Sequence, residues 1–207
     1  KAIRRAIAVT YKQNLLDIYN KYHNVEPLSR DAKVFGHRAL KNMALGLLQE
    51  TLDPAMTEIA IQQYQTAKNM TDQLAALELL ADSEHLYREI ALSDFYQKWH
   101  KDSVVLNKWF STQALSSRKD TFKIVQNLVK HPSFNISNPN NVYSLIRGFT
   151  QNFTRFHSSD YNAYAFLAEM ILKVDAKNPQ VAARLCGAFN FVKKFPPILK
   201  QMALAEI

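Results

Sequence analysis

Histidine and cysteine are the residues in this chain whose side chains most readily act as metal ligands, bases or nucleophiles. The chain has six histidines and one cysteine, and no two histidines lie three or four residues apart. The His-Glu-x-x-His arrangement that holds zinc on a helix is therefore missing. The four glycines form neither a Gly-x-Ser-x-Gly elbow nor a Gly-rich phosphate loop. We expect no catalytic residue, no metal site and no cofactor in this chain.

The single cysteine, Cys186, cannot form a disulfide within the chain and favours a reducing compartment. It stands in a helical pattern without a base nearby in sequence, which predicts a buried and unreactive thiol. No secretory leader is recognisable, and no apolar run reaches the roughly 18 residues that a membrane span needs. We therefore expect a cytoplasmic location and no membrane partner.

Gln180 and Arg184 are the polar residues that stand out most, within the stretch NPQVAARLCGAF at 178–189. The Asn-Pro pair is typical of a helix start, and Val181 and Leu185 begin an apolar stripe. Because they are four residues apart, Gln180 and Arg184 share one side of that helix. They can face a bound ligand. Alternatively, Arg184 pairs with an acidic neighbour such as Glu169, and Gln180 only completes a helix end.

The elements that carry these residues follow an apolar period of 3.6 along almost the whole chain. The first segment places Ile3, Ile7, Tyr11 and Leu15 on one face. In total, about eleven helices of roughly 10 to 20 residues alternate with short turns, and no strand is indicated. The predicted caps are Ser29 or Asp31 for the second helix and Asp53, followed by Pro54, for the third, and Thr71 or Asp72 is expected near the cap of the fourth.

Many short helices in a row predict an all-α fold, a superhelical two-layer array of short antiparallel helices like the armadillo and HEAT solenoids. We expect a single domain over residues 1–207. No strict sequence period is visible, so the repeats are structural and degenerate.

The formal net charge of +8 raises the question of a nucleic-acid partner. Nine Lys and Arg stand against three Asp and Glu through residue 45. These charges are interspersed with apolar residues, and the chain has no RNP sequence, zinc finger or basic block. A solvated basic face, with no nucleic acid bound, is the favoured interpretation. The alternative function is a stand-alone helical-repeat scaffold that binds an acidic protein or nucleic acid through its N-terminal helices.

Five stretches, in this order along the chain, resemble the C-terminal helical domain of the bacterial aminopeptidase N family. The members of that family are zinc peptidases of the gluzincin class. The five stretches are NMTDQLAALELL (69–80), YQKWHKDSVVLNKWF (96–110), SNPNNVYSLIRGF (137–149), FHSSDYNAYAFLAEMI (156–171) and NPQVAARL (178–185). The resemblance extends from about residue 2 to about residue 205. It implies a fragment of a larger multidomain protein in which a separate catalytic domain carries the zinc and releases N-terminal residues from peptides.

The resemblance also implies a role for Gln180 and Arg184. In the family, this domain closes the active-site cavity, so that short peptides enter and folded proteins do not. Gln180 is then expected to border the pocket for the N-terminal side chain, and Arg184 to line the peptide channel. Some bacterial relatives have a basic residue where this chain has Tyr143, so the role of Tyr143 stays open. We expect the chain alone to be inactive, and to expose an apolar patch where its catalytic partner docks.

Overall fold

The apolar period of the sequence folds into short α-helices throughout residues 2–23 and 31–207, which are the residues that the computed structural model describes. No strand occurs within those ranges. The chain divides into two units, Lys1–Asp94 and Phe95–Ile207. The predicted all-α class is confirmed. None of the helices in the described part of the chain is long and apolar enough to cross a membrane.

The first unit is built from α1 to α5 and most of α6. Its helices are α1 (Ala2–Thr10), α2 (Lys12–His23), α3 (Ala32–Leu48), α4 (Pro54–Thr66), α5 (Met70–Ala81) and α6 (Tyr87–Trp99), the last of which continues into the second unit. Helix α2 packs against α3, and α4 packs against α5. A buried apolar cluster joins three of these helices, and it consists of Leu15, Ala44, Leu48 and Met56.

The first apolar stripe is buried over only half of its length. Leu15 and Tyr19 are buried, whereas Ile3 is 78% exposed, Ile7 40% and Tyr11 55%. Helix α1 buries only Ala8. The predicted continuous apolar face is present, but its N-terminal half is only partly covered by the described residues.

Side-chain caps set the starts of α3, α4 and α5. The carboxylate of Asp31 accepts from Lys33 N at the start of α3, and that of Asp53 accepts from Ala55 N at the start of α4. Both predictions are confirmed, and Ser29 lies outside the described residues. Thr71 and Asp72 lie in the first turn of α5, near its cap as expected, and the cap itself is Asn69, whose side chain accepts from Asp72 N at 2.9 Å.

Asp72 is used inside the first unit instead. Its carboxylate accepts from Lys41 Nζ at 2.7 Å, from Asn42 Nδ2 at 2.9 Å and from Asn69 Nδ2 at 3.0 Å. The backbone carbonyl of Asp72 accepts from Gln63. Residues of α3, α4 and α5 therefore meet at this one aspartate. Burial by itself raises the pKa of Asp72, but the three hydrogen bonds outweigh burial and hold that pKa below its ordinary value.

The second unit contains the helices that carry Gln180 and Arg184. Its elements are α7 (Ser103–Ala114), α8 (Thr121–Leu128), α9 (Pro139–Val142), a π-helical turn (Tyr143–Arg147), α10 (Gly148–Gln151), α11 (Phe153–Phe156), α12 (Ala163–Asp175), α13 (Pro179–Cys186), 3₁₀ turns at Gly187–Phe189 and Val192–Lys194, and α14 (Pro197–Leu204). Helix α7 packs against the π-helical turn, and α12 packs against α13.

Candidate functional site

Helix α13 positions Gln180 and Arg184 by burying its opposite side. Asn178 caps the helix by accepting from Val181 N, and Pro179 occupies the first turn. The apolar residues Val181, Ala182 and Leu185 are buried. Gln180 and Arg184 are both exposed, as expected for two residues on the polar side of an amphipathic helix.

Arg184 finds its partner on the π-helical turn. Its Nη1 donates to the hydroxyl of Tyr143 at 3.0 Å, across 41 residues of sequence. Glu169 is the acidic neighbour that the sequence offered as an ion-pair partner for Arg184. It instead accepts from Lys173 Nζ at 2.5 Å. Among the described residues, no ion pair joins Arg184 to a carboxylate. The alternative of an Arg184–Glu169 ion pair is therefore wrong.

The π-helical turn holds Tyr143 at this place. The N–H of Gly148 donates to the carbonyl of Tyr143, five residues earlier, which is the bond that defines a π turn. Leu145 and Ile146 are fully buried. With these two side chains inside, Tyr143 stays half-buried and Arg147 is exposed.

Polar contacts with α7 and α9 tie the turn down further. The hydroxyl of Ser144 donates to Asn107 Oδ1 at 3.3 Å, and Asn141 Nδ2 donates to the same oxygen at 2.7 Å. Ser111 Oγ donates to the carbonyl of Ser144 at 3.1 Å. The backbone that carries Tyr143 is therefore fixed by both apolar burial and hydrogen bonds.

Arg147 is a site residue that the sequence analysis missed. Its guanidinium carbon lies 5.9 Å from the centre of the Tyr143 ring, and that of Arg184 lies at the same distance. Both are within the range of a cation–π contact. We call Tyr143, Arg147 and Arg184 the arginine–tyrosine cluster. The four-residue spacing of Tyr143 and Arg147 on either side of the apolar pair Leu145 and Ile146 is the signal that could have indicated it.

Cys186 corrects another expectation. The thiol was predicted to be buried, but it is exposed. Leu185 is the last buried residue of α13, and the next residue along a helix points about 100° away from it. The helical pattern was therefore interpreted correctly, and the side of the helix on which Cys186 lies was not.

Histidines of the second unit lie in aromatic packing. His131 contacts the rings of Tyr96, Trp109 and Phe110. Burial lowers the pKa of His131 and that of His157. Within the described residues, no three His, Cys, Asp or Glu side chains come together as a metal site would require. The residues present do not fit a zinc ion.

The basic N-terminal segment is partly neutralised within the first unit. Arg4 Nε donates to Glu50 at 2.9 Å, and Lys12 Nζ donates to Asp53 at 2.5 Å. Lys41 is buried against Asp72. These three cations are engaged by carboxylates from later helices, which argues against a basic surface devoted to nucleic acid or an acidic protein.

A family described as a domain of unknown function (DUF3458_C) with ARM repeats matches residues 1–207. Three curated proteins, each called aminopeptidase N, are similar in sequence. That of Haemophilus influenzae is 35% identical over 86% of this chain, that of Escherichia coli 33% over 94%, and that of Caulobacter vibrioides 34% over 99%. The aligned part covers 20%, 22% and 24% of those proteins, respectively.

A solved structure is similar over almost the whole chain. The crystal structure of Legionella pneumophila aminopeptidase A in complex with aspartic acid matches with a TM-score of 0.90 and 30% identity. The match covers 99% of this chain and 25% of that chain. This chain thus spans between a fifth and a quarter of the length of the proteins it matches.

Proposed function

The chain belongs to the DUF3458_C family of ARM-repeat domains and is homologous to the C-terminal part of aminopeptidase N, and from this we propose that it is the non-catalytic C-terminal domain of a zinc aminopeptidase. In this proposal the chain is one part of a longer polypeptide and closes the cavity in which short peptides are hydrolysed. Isolated from the rest, it is inactive. The cytoplasmic location expected from the single cysteine stays a prediction.

The zinc chemistry belongs to the other part of the polypeptide. Zinc bound there would supply a Lewis acid for the scissile carbonyl and would activate water. Since the described residues of this chain bring no metal-ligand group together, their contribution is to bind and orient the peptide. The Legionella relative is in complex with aspartic acid, a free amino acid, which is the class of product that the proposed reaction releases.

The observation that carries the proposal is the state of Arg184. It is an exposed guanidinium with no carboxylate partner among the described residues, on the same side of α13 as the exposed amide of Gln180. An unneutralised guanidinium held by a tyrosine hydroxyl can donate to the carbonyl or carboxylate oxygens of a peptide. Gln180, one turn earlier, offers both a donor and an acceptor near the N-terminal side chain of that peptide.

The exposed apolar residues of the first unit support a partner within the same polypeptide. Ile3, Ile7 and Tyr11 recur every four residues, so they form one stripe on the N-terminal helices. Exposed apolar stripes of this kind mark surfaces that another body covers. We assign this stripe to the contact with the catalytic part of the longer protein.

Kinetics of the full-length polypeptide test the proposal. Arg184→Ala should lower kcat/KM for short peptides. The corresponding loss of transition-state stabilisation should be about 1 to 3 kcal/mol, the scale of a lost charge-assisted hydrogen bond. Lys123→Ala, which removes an exposed charge from α8, is the matched control and should leave kcat/KM unchanged. Unchanged peptide kinetics in Arg184→Ala, together with a lower melting temperature, would show that Arg184 is structural and would refute the proposal.

A further inference from the structure

We propose that the arginine–tyrosine cluster is a carboxylate clamp, in which Arg147 and Tyr143 join Arg184 to bind the free C-terminal carboxylate of a short peptide. This inference rests on the proposed function and extends it from one channel residue to a three-residue site. It assigns roles to Arg147 and Tyr143, which neither the sequence motifs nor the resemblance assigned.

The charge distribution points to an anion. Two exposed guanidinium groups lie at 5.9 Å from the centre of the same ring, and among the described residues neither forms an ion pair with a carboxylate. Two like charges held near one ring repel each other, and the ring offsets this only in part, because 5.9 Å is near the outer limit of a cation–π contact. The two guanidinium carbons are at most about 12 Å apart, since each lies 5.9 Å from the same ring centre, and an anion placed between them would be attracted by both.

The hydrogen-bond directions point to an acceptor. A guanidinium has donors only, so the Tyr143 oxygen accepts from Arg184 Nη1. The hydrogen of the Tyr143 hydroxyl is then left to donate, and no acceptor for it is found among residues 2–23 and 31–207. A carboxylate can accept from this hydroxyl and from a guanidinium together, since its two oxygens offer about four acceptor positions.

The supporting backbone makes the cluster a preorganised site. Tyr143 and Arg147 lie on the π-helical turn, whose Leu145 and Ile146 are fully buried. Arg184 comes from α13, which is held by its own cap and by buried Leu185. The side chains that bind the anion therefore project from two anchored elements, which lowers the conformational cost of binding. Single-turn π bulges in helices are frequent at functional sites.

The carboxylate is the C-terminus of a short peptide, because the clamp shares Arg184 with the proposed channel. Such a site favours substrates whose C-terminus reaches the cluster and disfavours the same peptides when the C-terminus is an amide. The preference comes from the second guanidinium and the hydroxyl, since Arg184 alone can also donate to a neutral carbonyl.

The test compares one tripeptide as the free acid and as the C-terminal amide, using the full-length polypeptide. For Arg147→Ala we expect kcat/KM to fall about tenfold for the acid and to stay within about twofold for the amide. Tyr143→Phe should give a smaller loss, also for the acid only. Arg147→Lys, which keeps the charge, should retain most of the activity on the acid. Lys123→Ala is the control for removal of an exposed positive charge that is not part of the arginine–tyrosine cluster.

Equal losses on acid and amide, or no loss on either, would overturn the clamp. If Arg184→Ala lowers activity on both substrates while Arg147→Ala and Tyr143→Phe change neither, the proposed function stands and the clamp falls. If the wild-type polypeptide cleaves neither tripeptide, the proposed function fails and the clamp fails with it. If Arg147→Ala unfolds, as judged by circular dichroism, Tyr143→Phe carries the test, and an unchanged preference of Tyr143→Phe for the acid over the amide also overturns the clamp.

Discussion

At the residue scale, the pairing of His157 with Tyr164 shows how an imidazole can serve packing rather than catalysis. Nδ1 of His157 lies 2.9 Å from the hydroxyl oxygen of the fully buried Tyr164. The imidazole also packs against Phe156 and Phe195. Burial lowers the pKa of His157 and raises that of Tyr164, so both groups are neutral in the fold at neutral pH.

This arrangement predicts a loss of stability in mild acid. The folded-state pKa of His157 lies below the ordinary value of 6.5, so the unfolded chain binds its proton first as the pH falls. The contribution of His157 to the free energy of unfolding should therefore be constant above about pH 7.5 and decrease as the pH falls through 6.5 toward the folded-state pKa. Urea denaturation at a series of pH values measures this decrease.

His157→Gln should make that decrease smaller. His131 retains its own lowered pKa, so some of the decrease remains in this variant. A slope in His157→Gln equal to that of the wild type would contradict the role given to this histidine.

Single residues differ in how far the sequence predicted them. The spacing of Gln180 and Arg184 against Val181 and Leu185 was sufficient to indicate that they share one side of α13, because helical geometry is local. Arg147 was missed, since its importance arises from a ring that also meets Arg184 across 41 residues. Cys186 was placed on the wrong side of α13 because it borders the buried stripe.

At the scale of elements, Asp72 is the residue that ties three helices of the first unit together. The Lys41 side chain is only 2% exposed and that of Asp72 only 11%, so their ion pair is buried. Asn42, on α3, donates to the same carboxylate and accepts from Gln63 of α4. A buried pair of this kind costs desolvation, and removing one partner leaves the other charge uncompensated.

Lys41→Met should therefore destabilise the chain by about 3 to 5 kcal/mol, measured by chemical denaturation at neutral pH. The double variant Lys41→Met with Asp72→Asn should recover much of that loss, because no buried charge then remains. The Asp72 pKa is held below 3.8 in the fold, so the contribution of the pair is present above that pH and is lost as the pH falls through the folded-state value. A loss of less than about 1 kcal/mol in Lys41→Met would contradict a stabilising role for the pair.

Helix starts and helix interiors were predictable to different degrees. Asp31 and Asp53 were identified as caps because the capping interaction involves neighbouring residues only. Asn69 was missed, since Thr71 and Asp72 are also good caps by type, and the distant Lys41 decides that the Asp72 carboxylate faces α3. The π-helical turn within NNVYSLIRGF was predicted as ordinary helix, because an α turn and a π turn have nearly the same apolar pattern.

At the scale of the whole molecule, the chain is a helical ARM-repeat domain that corresponds to one part of its longer relatives. The aligned relatives are four to five times longer than the aligned part, and within the described residues no metal-ligand cluster is present. The all-α class followed from the apolar period, and the family was indicated by five ordered stretches. The exposed part of the first apolar stripe could only be located once burial separated Ile3 and Ile7 from Leu15.

The most direct measurement is a structure of the full-length polypeptide with a non-hydrolysable tripeptide bound at its zinc. We predict that the Arg184 guanidinium and the Gln180 amide line the cavity that holds this peptide, with at least one of them within about 3.5 Å of a peptide oxygen or nitrogen. Finding both side chains on an outer surface, away from the bound peptide, would contradict the proposed role of this domain.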